Sequence, residues 1–211
     1  LQDNIFRRIR IGLERRNFEP NRKSWYFFNI ICSIEYIKSV EVFMNLSTRT
    51  KKILAGKAAF FCSHIMNIIY SIRQHKSYLL FPDGLPLFLG MQDGFPNEME
   101  RSTNWIQHVQ NMQLDENEIA LMMVLMILSP SLDEAASCER ALLTKYSENY
   151  AKILFSYVMA RRGRQGPRSY QEMLALIGTI NERVQKEKDM QVLALGMFTE
   201  LCPLLAEMIR I

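Results

Sequence analysis

The sequence predicts an all-α, multilayer helical domain with one small β-hairpin near the middle of the chain. Apolar residues recur at about 3.6-residue spacing through most of the 211 residues, which is typical of helices with a buried face. The turn-forming residues 82–84 (Pro-Asp-Gly) separate two short apolar runs, residues 78–81 and 85–88, and these indicate the hairpin. With 48% hydrophobic residues, a chain of this length can bury a sizeable core.

The helices before the hairpin are predicted from their apolar periodicity. A helix over residues 4–17 carries many arginines, which most simply form a solvated face. A long helix over residues 23–45 is apolar over a wide arc, so we expect it at the centre of the helical stack. A second buried helix covers residues 50–74, and either Ser47 or Thr48 can act as its N-cap.

Capping residues and glycines indicate where the helices after the hairpin begin and end. Asp115 followed by Glu118 forms a capping-box pattern, and Gly163 to Gly166 end one long helix before Pro167 opens the next. The predicted helices here cover residues 98–112, 115–128 and 131–162, and a last one runs from residue 167 to near residue 196.

The composition argues against several function classes. Lys plus Arg (26) only modestly exceed Asp plus Glu (22), so charge alone does not demand a nucleic-acid partner. The four cysteines form no CxxC pair, which excludes a zinc-finger ligand set and favours a reducing intracellular compartment. The sequence has no metal-ligand spacing, phosphate loop or GxSxG elbow, so we expect no catalytic residues, no metal and no enzyme. The longest apolar run, residues 119–128, is too short to span a bilayer, and no membrane segment is expected.

The last nine residues, 203–211, predict a short amphipathic helix that begins at Pro203. Glu207 lies beside its apolar face, which consists of Leu204, Leu205, Met208 and Ile209. Because so short a helix is unstable alone in water, it must dock on the rest of the domain. It either completes the core or can be moved by a ligand.

Several motifs together resemble the ligand-binding domains of nuclear receptors. Residues 114–120, followed by Ser129-Pro130 and residues 132–134, resemble the family's paired helices 8 and 9. Residues 166–177 resemble the opening of its helix 10, residues 43–47 the end of its helix 3, and residues 203–211 its activation helix. These motifs follow the family's order over nearly the whole chain, and the divergent nematode receptors related to hepatocyte nuclear factor are the most similar group.

The resemblance implies an antiparallel helical sandwich in which residues 1–211 form one ligand-binding domain located in the nucleus. The family's zinc-finger DNA-binding module is absent from this chain, so DNA would be contacted only through a module outside it. The chain begins at Leu1 and not at Met, and we therefore expect a fragment of a longer protein.

The resemblance also implies a groove for coactivator or corepressor peptides. Lys38 and Glu207 would hold the two ends of an LxxLL helix, because its free carbonyls and amides need partners of opposite charge. The apolar residues of the activation helix would complete the groove between them. Without the family, Lys38 would be interpreted as an ordinary solvated lysine.

The family further implies a pocket for a small hydrophobic ligand, fatty-acid-like or sterol-like, and no cofactor. Tyr70 stands where many members place an arginine that binds an acidic ligand end, and Arg73 can substitute for it. Core packing is the simpler explanation for most of the lining candidates. These candidates are Trp25, Tyr26, Asn29, Ser33, Phe60, His64, Asn67, Tyr70, Arg73, Phe81, Met190, Leu193, Ala194 and Met197.

A dimer is expected through the segment after Pro167, as in the family. Its apolar positions exceed what one buried stripe needs, which favours burial on two sides as a homodimer or heterodimer. The predicted interface residues are Met173, Leu174, Leu176, Ile177 and Ile180. Two other functions fit the same sequence: a helical carrier of hydrophobic small molecules, and a ligand-free helical scaffold or dimerisation partner.

Overall fold

The computed structural model describes residues 25–81, Gly84, residues 96–128 and residues 137–195. This part of the chain is helical and contains no sheet, which confirms the predicted all-α class. The helices are α1 (Trp25–Lys38), α2 (Glu41–Met44), α3 (Thr48–Arg73), α4 (Pro96–Asn111), α5 (Glu116–Leu128), α6 (Ser137–Arg162), a 3-10 turn (Gly163–Gln165) and α7 (Gly166–Leu195). The predicted helices over residues 4–17 and 203–211 lie outside the described residues.

The prediction of one continuous helix over residues 23–45 is wrong, because the chain breaks after Lys38. The backbone N–H and the hydroxyl of Ser39 both donate to the backbone carbonyl of Tyr36, at 3.0 and 2.6 Å, so the chain tightens into a turn at the end of α1. Val40 is then extended, with φ −73° and ψ 120°. The break directs the chain into the short helix α2 and places Lys38 in the last turn of α1.

Helix α3 occupies the middle of the fold. Ser47 is its N-cap, as predicted, and its side-chain oxygen accepts from the backbone N–H of Thr50. The helix packs against α1, α4, α5 and α7. Among the described residues it is long and apolar enough to cross a membrane by length and composition, but 67% of its most apolar window is buried inside the protein. We therefore interpret α3 as the core helix of the domain.

Helix α5 begins at the predicted capping box and leads into the remaining layers of the fold. The backbone N–H of Glu118 donates to Asp115 at 2.8 Å, and the backbone N–H of Asp115 donates to the Glu118 carboxylate at 3.0 Å, which confirms the prediction. Residues 122–128 are all buried, so the second half of α5 is enclosed on every side. Helix α5 packs on α6, and α6 packs on α7.

The first arm of the predicted hairpin is tied to the end of α3. Ser71, which is fully buried, donates to the carbonyl of Asn67 at 2.7 Å and accepts from the backbone N–H of Leu80 at 2.8 Å. The amide of Gly84 donates to the carbonyl of Phe81 at 2.9 Å, in keeping with a tight turn. The second arm, residues 85–88, lies outside the described residues, so the hairpin stays a prediction.

Candidate functional site

An exposed apolar strip runs along α1 towards Lys38. Phe28 and Ile31 are 46% and 37% exposed, and both share a helical face with Glu35 and Lys38. The ammonium of Lys38 forms an ion pair with Glu35 at 2.8 Å, and the two side chains are 50% and 63% exposed. Two part-exposed apolar side chains therefore lie on the same helix face as a charged group that solvent can reach.

The rest of the predicted coactivator groove is only partly described. Met44 on α2 is 68% exposed, and Lys51 of α3 donates to its backbone carbonyl at 3.1 Å. The side-chain cation of Lys51 also lies 5.8 Å from the centre of the Phe43 ring. Glu207 and the apolar residues Leu204, Leu205, Met208 and Ile209 lie outside the described residues, so the charged residue at the other end of the groove stays a prediction.

Two of the predicted ligand-lining residues meet in the interior. The side-chain amide of Asn29 on α1 donates to the side-chain oxygen of Asn67 on α3 at 2.8 Å. Both residues are buried, with 7% and 3% of their surface exposed. The neighbouring hydroxyl of Ser33, also fully buried, donates to the backbone carbonyl of Asn29 at 2.7 Å. A polar strip therefore crosses the otherwise apolar contact between α1 and α3.

An aromatic contact links α3 to α4, and a cation–π contact extends it to α7. The ring of His64, which is 3% exposed, meets Trp105 edge-on at a centroid distance of 6.2 Å. The guanidinium of Arg183 lies 5.8 Å from the centre of the Trp105 ring. Trp105 and Arg183 were not predicted, because only the packing of α4 and α7 on α3 brings them to His64.

The other ligand candidates are placed differently from one another. Phe60 and Phe81 are buried, and Tyr70 is half-buried. Arg73 is at the surface: its side chain is 64% exposed and pairs with Glu116 at 2.9 Å. The role of Arg73 in place of the family's internal arginine stays a prediction, and in this structure its partner is Glu116. The side chains of Trp25, Tyr26, Met190, Leu193 and Ala194, and the whole of Met197, lie outside the described residues.

A small void lies between α3, α4, α5 and α7. Its volume is about 20 Å³, and its lining is apolar and includes Ile68, Met122, Leu176 and Ile180. The void is far smaller than ligand pockets, which are on the order of 300–1,000 Å³. Its apolar lining also offers no polar partner to a bound water molecule. We interpret the void as a packing defect of the core and not as a ligand site.

The predicted dimer residues fall mainly inside the protomer. Met173, Leu176, Ile177 and Ile180 are at most 7% exposed and pack in the core, whereas Leu174 is 42% exposed. The apolar surplus of this segment is therefore largely used within one chain. On the outside, Phe155 of α6 is 43% exposed and meets Tyr170 of α7 edge-on at 5.2 Å. Tyr170 and Leu174 are four residues apart, so they share a face of α7.

A buried carboxylate joins α5 to the end of α6. Glu118 is fully buried and accepts from Arg161 at 2.8 Å and from Arg162 at 2.8 and 2.7 Å. Arg162 also donates to the backbone carbonyl of Met112 at 3.0 Å. This cluster, like Trp105, was not predicted: the sequence indicated Glu118 only as a capping residue.

Asp115 extends the same cluster. Burial by itself raises the pKa of Asp115, but the hydrogen bonds from the Glu118 N–H and the Tyr157 hydroxyl, together with the charge of Arg161, outweigh it and lower the pKa. The Tyr157 hydroxyl donates at 2.9 Å, and the Arg161 guanidinium lies 3.0 Å away. Asp115 is therefore held in its charged form.

The described residues offer little to a metal or a nucleophilic reaction. Within them, no group of three His, Cys, Asp or Glu side chains is placed to hold a metal ion. Burial raises the pKa of the Cys62 thiol to about 12, so this thiol is poorly ionised at neutral pH.

Comparisons with known proteins give one consistent family. No family model matches the chain. Three Caenorhabditis elegans proteins are similar to it: nuclear hormone receptor family member nhr-60, 24% identical over 82% of this chain, nhr-124, 25% identical over 83%, and nhr-154, 27% identical over 77%.

The matched stretch spans less than half of each of these relatives: 38%, 46% and 36% of their lengths. The similarity to several members of one family over most of the chain, together with the all-helical fold, supports the identification of this chain as a nuclear receptor domain.

Proposed function

We propose that this chain is the ligand-binding and transactivation domain of a nuclear hormone receptor, a transcription factor that works in the nucleus. It binds a small hydrophobic ligand and recruits coactivator LxxLL helices with the help of its C-terminal helix. It contacts DNA through a module outside this chain, and it pairs with a second subunit. No catalytic step belongs to this function.

The exposed apolar strip that ends at Lys38 carries the proposal. Phe28 and Ile31 leave 46% and 37% of their surface exposed on the helix face that leads to Lys38, where a partner could cover them. The leucines of an amphipathic helix suit such a surface, and the lysine at its end can hydrogen-bond the last free carbonyls of that helix. Lys38 would then exchange its contact with Glu35 for the peptide.

The expected energetic effect of Lys38 is moderate. A hydrogen bond to a charged group contributes about 1.5–3 kcal/mol, but half of this side chain is exposed and its charge is screened. Removing the ammonium should therefore weaken peptide binding roughly tenfold.

The test is the affinity of an LxxLL peptide for the parent domain and for Lys38→Ala, measured by fluorescence anisotropy. Lys145→Ala is the control, because Lys145 is an exposed lysine on α6 and not on α1. We expect Lys38→Ala to weaken binding and Lys145→Ala to leave it unchanged, with equal melting temperatures. Equal peptide affinity in all three proteins would contradict the assigned role of Lys38. Absence of peptide binding by the parent, with and without a ligand, would contradict coactivator recruitment itself.

A further inference from the structure

We propose that the buried pair Asn29 and Asn67 binds a hydroxyl group of the ligand, so that the domain selects neutral, hydroxyl-bearing lipids over fatty acids. This inference rests on the proposed function, since it needs a ligand beside the pair. It adds to that function the chemical class of the ligand and the residues that recognise its polar group.

The location of the pair is the first argument. Asn29 and Asn67 are both at most 7% exposed, and Ser33, Ser63 and His64 are buried on the same two helices. Apolar side chains alone can hold two helices together, whereas each buried polar side chain needs hydrogen bonds to offset its desolvation. Packing between the two helices therefore does not by itself require these residues. A few polar groups within mainly apolar walls are what a ligand pocket uses to orient its ligand.

The hydrogen-bonding capacity of the pair is the second argument. Each Asn side chain has two donor hydrogens and one acceptor oxygen, and the contact at 2.8 Å uses one donor and one acceptor. The amide nitrogen of Asn67 and the oxygen of Asn29 keep capacity for a further partner. Flipping both amides exchanges their roles but again leaves one nitrogen and one oxygen. A hydroxyl group fits both, because it accepts one hydrogen bond and donates another.

The charge of the surroundings is the third argument. No lysine or arginine side chain is buried among the residues that the structure describes, and Arg73 is occupied by Glu116 at the surface. A carboxylate bound beside the pair would face an amide oxygen and lack a buried cation, which is unfavourable for a buried charge. A neutral ligand avoids both conflicts.

The test compares ligands that share a skeleton and differ in one group. Hexadecanol, hexadecane and hexadecanoic acid represent a chain, and cholesterol with cholestane represents a ring system. Each competes with a fluorescent hydrophobic probe for the purified domain at neutral pH. Two new hydrogen bonds should make at least one alcohol bind roughly tenfold tighter than its hydrocarbon. Hexadecanoic acid should bind more weakly than hexadecanol.

The double variant Asn29→Leu/Asn67→Leu assigns the selectivity to the pair. Replacing both partners by apolar groups of similar size leaves no unpaired amide, so the domain should still fold. The variant should bind alcohol and hydrocarbon equally well. Asn149→Leu, on the exposed side of α6, is the control and should keep the parent's selectivity.

The outcomes separate this inference from the proposed function. Equal or tighter binding of hexadecanoic acid overturns the inference, leaves ligand binding intact and directs attention to Arg183. Retained alcohol selectivity in the folded double variant overturns the role of the pair. If no probe binds the parent, both the inference and the ligand-binding part of the proposed function fail, while peptide recruitment is judged by Lys38→Ala alone. The parent's ranking of the probes decides the ligand class even if the double variant does not fold.

Discussion

Replacing Glu118 by glutamine should destabilise the domain more than any exposed charge change on the same helix. Glu118 is fully buried, and three hydrogen bonds of 2.7–2.8 Å join its carboxylate to Arg161 and Arg162. Glutamine keeps the volume of the side chain, so the change removes the negative charge without a cavity. It leaves two arginines around a neutral amide whose NH₂ group cannot accept from them.

The size of the effect follows from the exposure of the two arginines. Removing one partner of a buried ion pair typically costs about 3–5 kcal/mol. The Arg161 and Arg162 side chains are 37% and 17% exposed, so water can partly solvate them, and we expect the lower end, about 3 kcal/mol. For a domain of this length, that loss lowers the melting temperature by about 6–12 °C.

Glu116→Gln is the matched control, since Glu116 lies two residues away on α5. Its ion pair with Arg73 is largely exposed, at 87% and 64%, so its loss should change stability by less than about 1 kcal/mol. The assay is thermal and urea unfolding of both variants beside the parent. Equal destabilisation by the two changes would refute the reasoning that burial of the Glu118 carboxylate sets its importance.

Three further predictions follow from other parts of the structure. The fold lowers the pKa of Asp115, so its ionised carboxylate stabilises the domain. This contribution to the free energy of unfolding should be full above the pKa of the unfolded carboxyl, near 3.8, and should be lost as the pH falls through the folded value. The stability difference between the parent and Asp115→Asn should therefore shrink in urea titrations at acidic pH. Leu174→Glu should shift the domain towards monomer in sedimentation velocity. Ile153→Glu is the control and should not, because Ile153 lies about 200° around α6 from Phe155, the exposed residue that contacts Tyr170 on the Leu174 face of α7. Iodoacetamide at neutral pH should label the exposed Cys138 before the buried Cys62, as read by peptide mass spectrometry, and the reverse order would contradict the described burial.

Local features of the fold could be predicted from the sequence because short-range rules determine them. Asp115 and Glu118 are three residues apart, and their capping box forms whatever packs around it. Ser47 is the N-cap of α3 for the same reason. The break after Lys38 was missed because its apolar spacing continues unchanged from α1 into α2, and the hydroxyl of Ser39 gave too weak a signal to end the helix.

Contacts between distant segments could not be predicted in the same way. The family resemblance indicates Asn29 and Asn67 separately as ligand candidates, but their hydrogen bond joins residues 38 positions apart. The pairing of Glu118 with Arg162 spans 44 positions and depends on how α5 meets the end of α6. Four predicted dimer residues are buried in the protomer, because an apolar position indicates burial without indicating against which surface.

Native mass spectrometry of the purified domain mixed with an LxxLL peptide and hexadecanol tests the central claim most directly. It reports bound lipid, bound peptide and the number of subunits in one spectrum. A nuclear receptor ligand-binding domain should bind one peptide and one lipid per chain, and the peptide complex should decrease in Lys38→Ala. A domain that carries neither peptide nor lipid, in the parent as in the variant, would contradict the account.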